Sequence, residues 1–239
     1  MLPDLSERFD GAEIMDQPDC DPVQLYRTLS QFRWVNLAVS RYRYCLKQWV
    51  VADMLRDRSR RYHLVDLGAG GCDISAWLLR YCQRQGLRLR VTAVDADERT
   101  VTWAQARYST LPNLNVVCGD AFEICALGGV DYVFANHFLH HLSKPEIVRL
   151  FNVIVAVAGR GFVVCDLRRS WFSYLGFSLF AKALLRNSFA FEDGQISIRK
   201  GFIRGELQRL IDASDMKGRC CISQLFPGRL VVLGHPNVS

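Results

Sequence analysis

Several features that would place this chain in a specialised class are missing from its 239 residues. Internal repeats and low-complexity segments are absent, which argues against repeat-built and disordered architectures. The longest strongly apolar stretch, Trp171 to Leu185, is about fifteen residues long and is interrupted by polar side chains. Because a helix needs about 20 apolar residues to cross a bilayer, no transmembrane segment is predicted.

Cysteine is plentiful, but the patterns that would give it a role are missing. The nine cysteines include no C-x-x-C pair, and no Cys/His pairs have the spacing of zinc ligands. The sequence therefore predicts no metal site. The odd number of cysteines and the lack of a signal peptide are typical of a reducing compartment, so a cytoplasmic location is expected.

Lysine is scarce, with five among the 30 basic residues, yet the net charge is +6 at pH 7. A basic chain can favour nucleic acid, an anionic membrane or acidic substrates. The arginine-rich run 56–61 is short and precedes the first predicted core strand, so we interpret it as a solvated boundary. No nucleic-acid partner is expected, and the length predicts one domain with embellishments.

The most informative stretch runs from residue 62 to residue 74. It predicts a short apolar strand ending at Asp66, a turn at Gly68 and Gly70, and then a helix. Glycines permit a tight turn and a close approach to a ligand, and the free N–H groups of the helix start favour an anion. This unit predicts a nucleotide-type cofactor site. The dinucleotide pattern G-x-G-x-x-G fails, because its third glycine would fall on Asp73.

Three further apolar runs, each typical of a buried strand, are followed by a polar residue: Asp95, Asp120 and Asn136. A fifth run, 161–165, ends at Asp166. Strands that alternate with helices predict a parallel sheet covered on both faces, and ligands bind such sheets at the carboxyl ends of the strands. An acid that follows a glycine loop by roughly 20 to 30 residues is placed to accept hydrogen bonds from ribose hydroxyls.

The glycine turn points to a particular family. Asp66-x-Gly68-x-Gly70 resembles motif I of class I S-adenosylmethionine (SAM)-dependent methyltransferases, usually written [DE]-x-G-x-G-x-G, with Cys72 in place of the last glycine. In that family the methionine part of SAM lies against the loop. The resemblance therefore implies SAM as the cofactor, bound by Asp66, Gly68, Ala69 and Gly70.

Later segments resemble further motifs of this family in the same order. Asp95 resembles the acid that binds the ribose, with Ala96 beside the adenine. Asp120 resembles the acceptor for the adenine amine, with the N–H of Ala121 at the ring, and Asn136 begins a segment that resembles motif IV. Each acid alone could be a helix cap or turn residue, but four matches in order favour the cofactor site. The implied fold is a Rossmann-like, seven-stranded, mostly parallel sheet with an antiparallel last strand.

A histidine-rich segment follows the fourth predicted strand and contains His137, His140 and His141. Histidine is the usual general base near neutral pH. The segment resembles that of small-molecule O-methyltransferases, in some of which a histidine is the base and an acid ending strand five orients it. The resemblance implies His140 or His141 as the base, Asp166 as its partner and His137 at the substrate. The alternative is that one imidazole only satisfies backbone groups.

Helical regions flank the predicted sheet. The N-terminal one is a cap that either lines the acceptor pocket or only covers one face of the sheet, and a second lies after strand five. Two short strands around the Pro227-Gly228 turn predict an antiparallel final hairpin. The predicted divisions are a helical cap (1–60) and a SAM-binding domain (61–239) that contains a helical insertion contributing to the acceptor pocket (167–200).

The insertion begins with a bulky aromatic stretch, which suits a hydrophobic or aromatic acceptor. We therefore predict Arg168, Trp171 and Tyr174 as substrate contacts. The alternative for each of these residues is ordinary core or a dimer interface, and the chain is expected to be a monomer or homodimer.

The segments 13–16, 166–170 and 192–197 resemble a bacterial group of methyltransferases often encoded near type III polyketide synthases. This resemblance implies a phenolic or polyketide-like small-molecule acceptor. The predicted activity is O-methylation of a hydrophobic secondary metabolite. The alternatives are a C-methyltransferase of a similar metabolite and a non-catalytic partner in a biosynthetic complex.

Overall fold

A seven-stranded sheet forms the centre of the computed structural model, which describes residues 3–235. The strands are β1 (Arg61–Leu67), β2 (Arg88–Asp95), β3 (Leu114–Cys118), β4 (Tyr132–Asn136), β5 (Gly161–Leu167), β6 (Cys220–Leu225) and β7 (Arg229–Gly234). Their order is β3-β2-β1-β4-β5-β7-β6, and β7 runs antiparallel to both of its neighbours. The predicted Rossmann-like sheet with an antiparallel final hairpin is thus confirmed.

Nine α-helices surround the sheet within the described residues. They are α1 (Pro22–Val35), α2 (Tyr42–Leu46), α3 (Ala52–Met54), α4 (Asp73–Arg84), α5 (Glu98–Arg107), α6 (Lys144–Val157), α7 (Trp171–Leu184), α8 (Ala190–Lys200) and α9 (Arg204–Asp212). Their starts follow local chemistry. Asp97 caps α5 through the N–H of Arg99, and Ser143 and Glu146 form a capping box at α6.

The sheet lies between two apolar layers because side chains alternate along a strand. In β1, Val65 and Leu67 pack in the layer that contains α6 and α9. Tyr62 and Leu64 pack in the opposite layer, with α4 and the helices that precede β1. All four side chains are at most 1% exposed. Each fully buried aliphatic side chain contributes about 1.5–3 kcal/mol, so the strand is fixed from both sides.

The N-terminal helical region combines both of the roles left open above. Its second half covers the sheet, because Leu46, Val50 and Met54 are buried in the layer beside α4. Its first helix, α1, lies instead near the carboxyl ends of the strands, where Leu29 and Phe32 border a cavity. Between residues 3 and 235, no helix combines the length and apolar character needed to cross a membrane.

Candidate active site

The carboxyl ends of the parallel strands open into one cavity of about 440 Å³, bordered also by α1 and α8. Twelve of the sixteen site residues predicted from the sequence line it. They are Asp66, Gly68, Ala69, Gly70, Asp95, Ala96, Asp120, Ala121, Asn136, His137, His140 and His141. The remaining four, Asp166, Arg168, Trp171 and Tyr174, do not.

The loop after β1 turns through left-handed backbone. Gly68 has φ of 60° and Gly70 has φ of 50°. A Cβ on Gly68 would lie 2.3 Å from the ring of Phe138, whereas one on Gly70 would meet nothing within 4 Å. The backbone at Gly70 therefore borders open space. Cys72 also has a positive φ, 54°, which explains the family's preference for glycine there, since this conformation costs other residues about 1–2 kcal/mol.

Three carboxylates surround this loop. Asp66 accepts a hydrogen bond from the hydroxyl of Ser75, and Oδ2 of Asp95 accepts from the N–H of Gly70 at 2.7 Å. Burial, together with the charges of Asp73 and Asp95, raises the pKa of Asp66 to about 7. Burial also raises the pKa values of the other two carboxylates, Asp73 and Asp95. Within residues 3–235, no Lys or Arg forms an ion pair with any of the three.

Two asparagines connect this acidic group to β4. Nδ2 of Asn36 donates to Oδ1 of Asp73 at 3.2 Å, and Nδ2 of Asn136 donates to Oδ1 of Asn36 at 3.4 Å. Oδ1 of Asn136 is buried and has no hydrogen-bond partner among the described residues. Buried acceptors are normally paired. A surface of closely spaced carboxylates and an unpaired carbonyl fits a cationic ligand with N–H donors, as SAM provides through its ammonium N–H groups and its sulfonium charge.

Asp120 lies further along the cavity and is exposed. Its Oδ1 accepts a hydrogen bond from the N–H of Phe122 at 2.9 Å. This bond closes a turn, which is the alternative role that the sequence allows for Asp120. No hydrogen bond within the described residues uses its second carboxylate oxygen. The side chain therefore closes the turn and still has an acceptor available to a ligand.

His140 lies between two buried carboxylates. Its Nδ1 is 2.7 Å from Oδ1 of Asp166, and its Nε2 is 3.5 Å from Oε1 of Glu13. Burial disfavours the imidazolium, but the two carboxylates raise the pKa of His140 to about 9. The predicted pairing with Asp166 is therefore present. A base must be unprotonated at working pH, so this environment disfavours His140 as the base, and its catalytic role stays a prediction.

Glu13 is a site residue that the sequence analysis missed. It is 2% exposed, and its Oε1 lies 3.5 Å from Nζ of Lys200 and 3.9 Å from Nε2 of His141. Burial would raise the pKa of Glu13, but His140, His141 and Lys200 lower it to about 2. Glu13 and the two histidines are metal-ligand types, yet Lys200 already supplies a cation to that carboxylate.

The N-terminal segment is fastened across the cavity. Nη2 of Arg8 donates to the carbonyl oxygens of His140 and Leu142, both at 3.2 Å. The carboxylate of Asp193 accepts from the backbone N–H groups of Ile14 and Met15 at 2.6 and 3.0 Å. These contacts join residues more than 100 positions apart, and the polar sequence before α1 has no periodicity that would reveal them.

Arg229 is a second missed residue, at the start of β7 and opposite Leu167 of β5. It is 2% exposed, and its Nε donates to the carbonyl of Val39 at 3.0 Å. Its Nη1 donates to Nε2 of His137, which has φ of 58°. Burial and the charge of Arg229 hold the pKa of His137 well below its usual range. No motif marks Arg229, because strand pairing alone places it at the cavity.

The structure does not bring the three predicted substrate residues, Arg168, Trp171 and Tyr174, to the cavity. The first turn of α7 packs instead against the turn between β6 and β7, and Trp171 is 41% exposed. The insertion reaches the cavity further along, through Phe177 of α7 and residues of α8. Its aromatic character was visible in the sequence, but the direction of each side chain depends on how the helix docks.

Comparison with known proteins agrees with this geometry. Residues 64–161 match the family described as a methyltransferase domain. The plantazolicin methyltransferase BpumL, solved with S-adenosylhomocysteine (SAH), is 12% identical with a TM-score of 0.61 over 90% of this chain and 97% of that chain. Magnesium protoporphyrin IX methyltransferase from Synechocystis PCC 6803, also with SAH, is 17% identical, with a TM-score of 0.53 over 90% and 99%. A SAM-dependent methyltransferase from Aquifex aeolicus is 16% identical, with a TM-score of 0.53 over 91% and 99%.

A search of curated proteins finds no match. At such low identities the solved structures show the fold, while the family match covers the stretch that contains the glycine loop and the acids at 66, 95 and 120. SAM is the cofactor of this class of enzyme. The family match over residues 64–161, the strand order and the acidic loop together support a class I SAM-dependent methyltransferase.

Proposed function

We propose that this chain transfers a methyl group from SAM to an oxygen of a hydrophobic or aromatic small molecule. The observation that carries the proposal is the group of three carboxylates around Gly70, whose raised pKa values and lack of an ion pair with any Lys or Arg of residues 3–235 leave a site that favours a cation. When bound, SAM supplies a methyl group on a positively charged sulfur, and transfer is an in-line displacement.

The chain's own residues have distinct tasks in this proposal. Asp95 holds the ribose hydroxyls while it anchors the loop through Gly70, and Asp120 accepts from the adenine amine. Asp66, Asp73 and the free carbonyl of Asn136 face the cationic methionine end. Fixing two reactants in line removes much of the entropic barrier, and well-oriented reactions gain about 7–11 kcal/mol in this way.

Much of the cavity lining is apolar. Leu29 and Phe32 of α1, Phe138 after β4, and Phe177 and Ile198 of the insertion contribute to its lining. Such a wall suits an acceptor with an extended apolar surface, with a few polar groups to orient it. This supports a hydrophobic secondary metabolite as the acceptor.

Cofactor binding is tested by titrating SAH into the protein in a calorimeter. We expect saturable one-to-one binding that Asp95→Ala weakens, and absence of binding to the wild-type protein would contradict the proposal. Activity is tested with SAM carrying a labelled methyl group and a panel of phenols, carboxylic acids and polyketide-like pyrones. Mass spectrometry and NMR of the product distinguish a methyl on oxygen from one on carbon.

A further inference from the structure

The acceptor side of the cavity holds three histidines, but two of them are not placed to take a proton. His140 is already the proton donor between the carboxylates of Glu13 and Asp166. Nε2 of His137 accepts from the guanidinium of Arg229, so its proton is on Nδ1. Nδ1 of His141 is 3.1 Å from Asp16, and its Nε2 is turned toward Glu13 at 3.9 Å.

The same side of the cavity holds a buried arginine that forms no ion pair with the described residues. Glu13 and Asp166 are matched by His140 and Lys200, which lie within 3.5 Å of one or the other. Arg229 is 2% exposed and forms no ion pair with any residue between positions 3 and 235. A buried charge without a counterion is costly and therefore unusual.

This guanidinium is only partly hydrogen-bonded within the described residues. Nε and Nη1 of Arg229 are committed to Val39 and His137, while no described residue accepts a hydrogen bond from Nη2. Both Arg229 and His137 line the cavity. The carboxylate of Asp166, on the neighbouring strand β5, is already bonded to His140 and to the N–H of Leu167. An anionic ligand in the cavity would supply the hydrogen-bond acceptor that Nη2 lacks among the described residues.

We propose that Arg229, with His137 positioning it, forms an oxyanion subsite for an acceptor that enters already ionised. The acceptor class is a carboxylate or its vinylogous counterpart, an acidic enol such as a 4-hydroxypyrone, in which two oxygens share one negative charge. This inference deepens the proposed function and rests on it. One oxygen is held by the guanidinium, and the other is free to attack the methyl group.

The chemistry balances without a protein base. A lone pair of the free oxygen forms the new O–CH₃ bond, while the bond between that carbon and the positively charged sulfur breaks and its electron pair stays on sulfur. The acceptor anion and the sulfonium become a neutral ester or enol ether and a neutral thioether. No proton is transferred, because the acceptor loses its proton to solvent before binding.

The test compares anionic and neutral probes on the SAH complex and on the SAM-loaded enzyme. The probes are 2-naphthoate, 4-hydroxycoumarin and the neutral alcohol 2-naphthalenemethanol. We expect both anions to bind the SAH complex more tightly than the alcohol, and labelled methyl to appear on anions only. Equal or weaker binding of both anions would overturn the inference, while failure to bind SAH would overturn the proposed function instead.

Variants locate the subsite. We expect Arg229→Gln to lower kcat/KM for the anionic probe by about 10- to 100-fold, as for loss of a charge-assisted hydrogen bond, with the Kd for SAH unchanged. Arg229→Lys should recover part of the loss. Arg168→Gln is the matched control, because Arg168 lies near the same sheet edge but does not line the cavity.

Unchanged anion preference in Arg229→Gln would contradict the assignment. His141→Gln separates it from base catalysis, since an ionised acceptor predicts little change in kcat, whereas loss of turnover would make His141 the base and refute the inference. If Arg229→Gln does not fold, as judged by circular dichroism, the comparison of the anions with the alcohol on the wild-type protein still tests whether the acceptor binds as an anion.

Discussion

The cofactor side and the acceptor side of the cavity differ in the sign of the charged groups that have no ion pair within residues 3–235. Within residues 3–235, the cofactor side gathers Asp66, Asp73 and Asp95 without an ion pair to Lys or Arg, whereas the acceptor side pairs its buried acids and holds Arg229 without an ion pair. One side therefore favours a cation and the other an anion. In the proposed reaction, methyl transfer from a sulfonium to an oxyanion removes both charges, so the products fit each side less well than the substrates, which favours their release.

The same difference predicts which substitutions affect ligand binding and which affect the stability of the folded protein. The charges of His140, Asp166, Glu13 and Lys200 are paired with one another, so removing a member leaves a buried charge unpaired in the folded protein. The acids around Gly70 accept hydrogen bonds but form no ion pair with a Lys or Arg of residues 3–235, so removing one leaves no opposite charge unpaired and should weaken ligand binding more than stability. Substitutions on the two sides should therefore fail in different assays.

The largest effect is expected from His140→Ala. It leaves the carboxylates of Asp166 and Glu13 without the imidazolium between them, and removing one partner of a buried pair costs about 3–5 kcal/mol. Urea denaturation followed by circular dichroism measures this loss. His141→Ala is the control, because its side chain is 29% exposed and an exposed pair contributes about 0–1 kcal/mol. Equal losses in the two variants would contradict the buried network.

The pH dependence of stability checks the same contact. The pKa of His140 is raised from 6.5 to about 9 in the folded protein, so its contribution is fully present below pH 6.5 and is lost as pH rises through about 9. The wild-type free energy of unfolding should therefore fall between these pH values by more than that of His140→Ala.

On the cofactor side, Asp95→Ala should weaken binding more than it lowers stability. The variant lacks the carboxylate that accepts a hydrogen bond from the N–H of Gly70 and that is proposed to accept from the ribose hydroxyls. Loss of hydrogen bonds to a charged group costs about 1.5–3 kcal/mol, which corresponds to roughly 10- to 100-fold in the Kd for SAH. Titration calorimetry gives the Kd. An unchanged Kd would remove Asp95 from the cofactor site.

The cofactor side also predicts a pH-dependent affinity. In the free protein the pKa of Asp66 is raised to about 7, and a bound cation would lower it, so SAM binding releases a proton below that pH. The affinity should increase as pH rises toward about 7, at most tenfold per unit, and then level off. Calorimetry in two buffers of different ionisation enthalpy measures the released proton. Asp66→Asn should reduce this release, and the same release in that variant would assign it to another group.

The cofactor side was predictable from the sequence because its residues lie at strand ends with short spacings. The apolar runs give the strands, a parallel sheet collects their carboxyl ends at one edge, and Asp66, Asp95 and Asn136 follow from that rule. The acceptor side was not, because Glu13, Lys200 and Arg229 come from the N-terminal segment, α8 and β7. Their meeting depends on long-range docking, for which local patterns give no signal. The same limit explains why the sequence predicts Trp171 and Tyr174 at the cavity, whereas the structure does not bring them there.

The smallest expected effect on stability, and the cleanest contrast between the two assays, comes from a pair of glycines. Gly70 has φ of 50° and Gly86 has φ of 68°, and a Cβ at either position meets no atom within 4 Å. Alanine should therefore cost each variant a similar left-handed strain of about 1–2 kcal/mol. Only Gly70 borders the cavity, so only Gly70→Ala puts a methyl group where the cofactor has to approach the backbone. Equal stability loss with weakened SAH binding in Gly70→Ala alone would show that the space above Gly70 is the cofactor's, whereas equal binding by both variants would exclude it.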